Sequence, residues 1–223
     1  MLPSQTVENY LKTIFLAQGT LGQGEDLVPM GQLASALGVV PGTATTMVKT
    51  LSESGLVHYE PYMGVRLTPA GEKLASMVLR RHRLIELFLV KVLGMSWAEV
   101  HDEAERLEHA VSERLIDRID QMLGRPSVDP HGDPIPTAEG RISTPDYLDL
   151  LSAPTGVALE VTRVLDQDPG FLRFVEQYEL VPGRRTRVDS RDESAETVHL
   201  VSESGRPATI GARAAAKVQV RLQ

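Results

Sequence analysis

The sequence predicts a mainly α protein with a C-terminal β domain, and three observations carry that prediction. Apolar residues recur at three- and four-residue steps through most of residues 6–123, the spacing that lines one face of a helix. The pattern is interrupted once, by two short β-prone runs, Leu56-Val-His-Tyr59 and Val65-Arg-Leu67, joined by a turn containing Pro61 and Gly64. Beyond a proline-rich stretch at residues 126–154 the pattern changes to short β-type segments around one brief helix.

The first helix is expected after Thr6, which can cap it, with Val7, Tyr10, Leu11, Ile14 and Phe15 as its buried stripe. Gly19, Gly22 and Gly24 then break the chain. Gln32-Leu-Ala-Ser-Ala-Leu37 resumes a short helix that stops at Gly38, and Pro41 suits the first position of another that runs to Ser54-Gly55. In this second helix Ala44, Met47, Val48 and Leu51 face a core, while Thr43, Thr45, Thr46 and Lys49 face outward. Two short helices on a tight turn, the second presenting hydroxyls and a lysine, form a helix-turn-helix, and the hairpin directly after it is a wing. Pro41, Thr43, Thr45, Thr46 and Lys49 are the expected DNA contacts of the helix. Tyr59 and Arg66 on the wing are expected to reach backbone phosphates or the minor groove.

Thr68 and Pro69 start the next helix, which ends at Gly94. Ser96 is expected to cap a long one, with Trp97, Val100, Ala104, Leu107, Val111, Leu115 and Ile119 as its stripe. The apolar surface over residues 84–93 and 97–123 exceeds what a small winged helix needs, and it predicts a two-fold dimer interface. After the prolines, residues 156–165, Val188 and residues 198–201, 209–210 and 218–222 are β segments around a helix at 171–178. They suggest a small, mostly β barrel of about seventy residues.

A chain of 223 residues, 42% hydrophobic, can bury a real core. No apolar run approaches the ~18 residues of a membrane span, and the start, Met1-Leu-Pro-Ser-Gln-Thr6, lacks the features of a signal peptide. A cytoplasmic protein with no membrane partner is therefore expected. With no cysteine, any metal must be held by oxygen and imidazole nitrogen. The net charge of −7 is uneven: residues 1–83 carry seven Lys/Arg against six Asp/Glu, and residues 84–223 sixteen against twenty-four. The acid lies late, which leaves the N-terminal part open to a phosphate backbone.

Within the acidic part, the run His101-Asp-Glu-Ala-Glu-Arg-Leu-Glu-His109 places Glu105, Glu108 and His109 at i, i+3 and i+4, on one face of one predicted helix. His101 lies about one turn earlier, and His82 and Glu86 repeat the i, i+4 spacing on the helix before. Mixed charges on a helix are usually a solvated face with ion pairs. Two His/Glu pairs on consecutive helices, using three of the six histidines, instead favour metal binding. No His-Glu-x-x-His, Gly-x-Ser-x-Gly or phosphate-loop motif accompanies them, so a metal-dependent hydrolase is not expected, nor an organic cofactor.

These residues resemble the diphtheria-toxin repressor family of metal-dependent transcriptional regulators, including its manganese-responsive branch. The resemblance rests on Thr6-Val-Glu-Asn-Tyr-Leu-Lys-Thr-Ile14, the winged helix from Gln32 to Gly71, Arg81-His-Arg-Leu84, Val100-His-Asp-Glu-Ala104, Glu108-His109 and Gly132-Asp-Pro-Ile-Pro136. It implies a DNA-binding domain at residues 1–73, a helical dimerisation and metal-binding domain at 74–145, and an SH3-like, FeoA-like domain at 146–223. It further implies a primary metal site of Glu105, Glu108 and His109, with Asn9 where members carry Met or Asp, and an ancillary site of His82, Glu86 and His101. Some members add a ligand from the C-terminal domain, for which Asp168 is the candidate.

Glu105 stands where iron-responsive members have Cys, and the hard oxygens of Glu105 and Asn9 favour Mn²⁺, with Fe²⁺ as the alternative. Lys12 stands where the manganese branch can have a carboxylate, which argues against that branch's closely spaced binuclear site. The resemblance therefore implies a Mn²⁺-activated homodimeric repressor of metal-uptake genes, bound to an inverted-repeat operator in double-stranded DNA. The alternative of a different kind is a winged-helix regulator that senses an organic ligand.

Overall fold

A computed structural model of the protein describes residues 4–22, 24–143 and 145–223. The chain forms two compact units, one of residues 1–82 with 136–142 and one of residues 83–135 with 143–223.

The first unit holds α1 (Gln5–Gln18), α2 (Met30–Ala36), α3 (Pro41–Glu53), β1 (Val57–Glu60), β2 (Gly64–Leu67) and the opening turns of α4 (Pro69–Lys91). α1 begins before Thr6, because Ser4 is the cap: its Oγ accepts from Val7 N at 3.4 Å. Leu11 and Ile14 of α1 pack with Leu33, Val48, Leu51, Val57 and Val65 in one core. The helix-turn-helix and its wing are as expected, with β1 and β2 antiparallel in the register Val57 to Leu67 and Tyr59 to Val65. Val28 adds a bridge to the hairpin, donating to Val65 O at 2.8 Å and accepting from Val65 N at 3.0 Å. This close approach requires Gly64, where a Cβ would lie 2.5 Å from Val28 O. Deeper in the unit Arg81 of α4 meets Glu8 of α1 at 2.6 Å, with both side chains under a tenth exposed.

The second unit contains a helical part and a β part. Leu84, Ile85, Leu87 and Leu89 of α4 pack with Val100 and Ala104 of α5 (Val100–Leu107), Ile116 and Ile119 of α6 (Glu113–Met122), and Ile135. The single long helix expected over residues 97–119 is thus two. Ser112 breaks it, because its Oγ accepts from Leu115 N at 3.3 Å and starts α6 afresh. The expected stripe is broken with it: Leu107 and Leu115 are exposed, and Trp97 belongs to the core of the β part.

That β part is a six-stranded antiparallel sheet in the order β3-β8-β4-β5-β6-β7. Its strands are β3 (Leu148–Asp149), β4 (Leu159–Val164), β5 (Arg185–Asp192), β6 (Thr197–Ser202), β7 (Pro207–Gly211) and β8 (Val218–Leu222), with α7 (Pro169–Gln177) after β4 and the short α8 (Ala212–Ala215) before β8. Alternation places Leu159, Val161, Val188, Val198, Leu200, Val218 and Val220 inside, against Leu172 and Val175 of α7. Among the described residues no helix is long and apolar enough to cross a membrane.

Candidate metal centre and DNA-contacting helix

α3 buries Ala44, Val48 and Leu51 and exposes Pro41, Thr43, Thr46 and Lys49, with Thr45 half-buried. The hydroxyls of Thr45 and Thr46 donate back to Pro41 O at 2.9 Å and Gly42 O at 3.0 Å, which leaves their lone pairs turned outward as acceptors. On the wing Tyr59 and Arg66 are half-buried, and Arg66 Nε lies 3.8 Å from Asp26 Oδ2. The wing tip projects Tyr62, fully exposed at φ 67°, and Met63.

The expected metal residues divide between the two units. In the first, Asn9 is half-buried on α1 and its Oδ1, although shielded from solvent, has no hydrogen-bond partner. An acceptor oxygen in that state is one a cation would satisfy. His82 is buried on α4, one turn before Glu86.

In the second unit Glu105 lies on α5, but Glu108 is the residue that caps its end and His109 stands in the following turn. Glu105 and Glu108, about one turn apart, still bring carboxylate oxygens within 4.8 Å of each other, but His109 lies past the end of the helix, a correction with the same cause as the helix break. The turn brings Glu108 Oε1 to 3.3 Å from His109 Nε2, with Glu108 fully buried. His101 Nε2 lies 3.8 Å from Glu105 Oε1, and its Nδ1 lies 3.3 Å from Glu86 Oε1. Two ligands of one hard divalent ion, each at ~2.0–2.6 Å from it, stand up to ~4–5 Å apart, so these separations fit a shared cation.

Sequence spacing did not find the third group. Glu86, Asp129 and His131, all buried, offer ligand atoms within 4.8 Å of one another. Glu86 thus faces two imidazoles, His101 through Oε1 and His131 through Oε2, the latter at 3.9 Å from Nδ1. His131 Nε2 contacts Trp97 O at 2.8 Å. With Nε2 as the donor, Nδ1 is left as a lone-pair nitrogen with no hydrogen-bond partner. Burial pushes the Asp129 carboxyl well above its usual range, and the neighbouring carboxylates of Asp133 and Glu86 push it further, with Arg83 opposing them. Asp129 and His131 lie in a loop, where the i, i+4 rule has no purchase. The available signal was an Asp-x-His pair held between prolines.

Asp168, the candidate from the C-terminal domain, caps α7 by accepting from Phe171 N at 2.9 Å. It is exposed and stands in none of these groups among the described residues.

Three family descriptions match successive parts of the chain. They are the iron dependent repressor N-terminal DNA binding domain over residues 3–65, the iron dependent repressor metal binding and dimerisation domain over 68–137, and the FeoA domain over 148–222. The iron-dependent repressor IdeR of Mycobacterium leprae is 30% identical over 198 residues, covering 83% of this chain and 84% of that one. The chain belongs to the diphtheria-toxin repressor family.

In common with that family it is a metal-dependent transcriptional repressor with an SH3-like C-terminal sheet, and not an enzyme. The HTH-type transcriptional regulator MntR of Lysinibacillus sphaericus is 34% identical over 122 residues, which cover 55% of this chain and 84% of that one. A solved structure described as a manganese-dependent transcriptional repressor in complex with manganese is 41% identical, with a TM-score of 0.88 over 97% of this chain and all of that one.

Proposed function

We propose that this repressor is activated by Mn²⁺, acts as a homodimer and binds an inverted-repeat operator ahead of metal-uptake genes in the cytoplasm. The observation that carries the metal is the donor set. The second unit gathers carboxylate oxygens and imidazole nitrogens in a chain without cysteine, a set that suits a hard cation. Fe²⁺ is the second reading, favoured by relatives named as iron-dependent repressors.

Glu105, Glu108 and His109 would hold the activating ion, with Asn9 as a further ligand on the strength of the family resemblance. His82, Glu86 and His101 would hold the ancillary one, and Asp129 and His131, whose ligand atoms lie within 4.8 Å of those of Glu86, would serve as ligands beside it. When bound, the metal supplies positive charge among carboxylates that otherwise repel one another. Glu108, capping α5, holds the turn that carries His109, while Thr43, Thr45, Thr46 and Lys49 face DNA with Pro41. Tyr59 and Arg66 would touch the backbone from the wing. Coupling between metal and DNA is then a difference in how well the metal-bound protein presents two copies of α3 one DNA turn apart.

The test is fluorescence anisotropy on the protein's own promoter region, titrating Mn²⁺ and Fe²⁺ separately into chelator-treated protein, with Glu108→Ala as the control. Binding that needs Mn²⁺ and is lost in the variant is the expected result. Binding indifferent to metal and to the variant would remove the metal-activation reading in favour of an organic effector, and activation by Fe²⁺ at lower concentration than Mn²⁺ would exchange the metal.

A further inference from the structure

The loop that carries Asp129 and His131 lies against strand β4 and owes its shape to that strand. Val164 N donates to His131 O at 2.8 Å. At Gly132, φ +86°, a Cβ would lie 2.0 Å from Thr162 O and 2.7 Å from Arg163 Cα, so loop and strand backbones are in direct contact. Asp133, 5% exposed, accepts from Arg163 Nε at 2.5 Å and from Gln167 Nε2 at 2.7 Å, and Arg163 Nη2 pairs with the same carboxylate. From Asp133 the contacts run back into the cluster: its backbone N donates to Asp129 Oδ1 at 2.9 Å, and His131 N donates to that same oxygen at 2.8 Å.

Asp133 itself is not among the grouped ligand atoms. Its closest side-chain partners are the Arg163 guanidinium and the Gln167 amide of the β part, with Arg83 Nη2 of α4 farther off at 3.7 Å from the same carboxylate. A buried ion pair adds little net stability over an apolar contact, and what it supplies best is a fixed position. Here the fixed position is that of the residue to which Asp129 is bonded directly and His131 through Asp129.

We propose that the C-terminal β part sets the divalent-cation affinity of the Glu86, Asp129 and His131 group, with Arg163 and Gln167 as positioning residues that hold Asp133 and, through it, the ligand loop. The proposal rests on the reading of that group as a cation site. It gives the C-terminal sheet a part in metal sensing in which the sheet contributes no ligand atom. Groups that orient metal ligands from outside typically alter affinity 10–100-fold when removed.

Mn²⁺ titrated into full-length, chelator-treated protein tests this with two readouts. The fluorescence of Trp97, the chain's one tryptophan, follows the group directly, because the indole stacks on the His131 ring with centroids 5.5 Å apart. Calorimetry follows total binding, and Glu108→Gln identifies which class of site belongs to Glu108. Arg163→Gln is expected to move the Trp97 midpoint about 10-fold or more to higher Mn²⁺, with Gln167→Ala smaller, and Arg163→Lys is expected to recover part of the loss. The Glu108 class is expected to stay within about twofold in all three. Asp129→Asn, which keeps an acceptor for the loop amides but removes the charge, is expected to lose the Trp97 response.

A Trp97 midpoint unmoved in Arg163→Gln and Gln167→Ala, with the response lost in Asp129→Asn, would overturn the positioning role and leave the cation site standing. A response retained at the same midpoint in Asp129→Asn would overturn the cation site and the proposal with it. Equal weakening of both classes in Arg163→Gln and Arg163→Lys would show general loosening, and would also overturn the proposal.

Discussion

Among the described residues, the buried Asp, Glu, Lys, Arg and His side chains of the first unit are Glu8, Lys12, Arg81 and His82, whereas in the second Glu86, Glu108, Asp129 and Asp133 are buried with Arg83 and His131. One buried carboxylate stands beside two fixed cations in the first, and four are buried with one in the second, with the half-buried Arg163 as partial compensation. The first unit therefore closes as an ordinary apolar core with its acid answered internally. The second carries a surplus of buried acid that a bound cation would offset. The difference teaches that the DNA-contacting unit is built to be present at all times, and the metal-binding unit to be completed.

Four experiments sharpen or break that contrast. The largest effect is expected from Arg81→Met, which takes the guanidinium at 2.6 Å away from buried Glu8 and should cost ~3–5 kcal/mol in urea unfolding, with no added rescue by Mn²⁺. Equal stability of variant and wild type would mean that the first unit does not depend on its internal pair. Next, Mn²⁺ at about a hundred times its Kd should stabilise the second unit by ~2.7 kcal/mol per site, lost on chelation. Hydrogen exchange should show the gain in α5, α6 and residues 129–133 and not in α2, α3 or the hairpin; protection spread evenly over both units would break the contrast.

Ser112→Ala removes the cap that separates α6 from α5 and should cost ~1 kcal/mol by thermal melting. It should also loosen the turn that holds His109 and so weaken Mn²⁺ binding, and unchanged affinity would separate helix capping from ligand placement. The smallest effect belongs to Asp166, away from the metal groups. The Lys217 ammonium at 2.6 Å is the main reason that its carboxyl sits below the usual range. A lowered folded-state value means that the pair stabilises at pH above the unfolded carboxylate range and is lost as pH falls through the folded value. Both side chains are partly exposed, so Asp166→Asn should cost under ~0.5 kcal/mol at neutral pH and nothing at strongly acid pH. A difference that grows on acidification would contradict the assignment.

Much of the first unit was legible because its signals are local. Pro41 at the start of α3, Gly38 and Gly55 at positive φ, and the Leu56 to Leu67 hairpin each depend on neighbours a few residues away. The β segments after residue 156 were readable for the same reason, through alternation, while the two-residue β3 and the short α8 are too brief to show a period. The proposed metal residues were half legible. His/Glu spacing pointed to His82, Glu86, His101, Glu105, Glu108 and His109, but it placed His109 on the same helix as Glu105, because an apolar stripe continues in sequence across a break that one serine hydroxyl makes.

By itself the sequence determined the element types, the winged helix, the oxygen and nitrogen character of any metal site, and the family. Those depend on side-chain chemistry and short-range periodicity, which composition and spacing report directly. Only the tertiary structure decided that Glu108 ends a helix, that Trp97 packs with the sheet, and that Asp129 and His131 turn toward Glu86. Each of these depends on contacts between residues far apart in the chain or on competition between a cap and a stripe, and no local pattern records which of two such contacts wins.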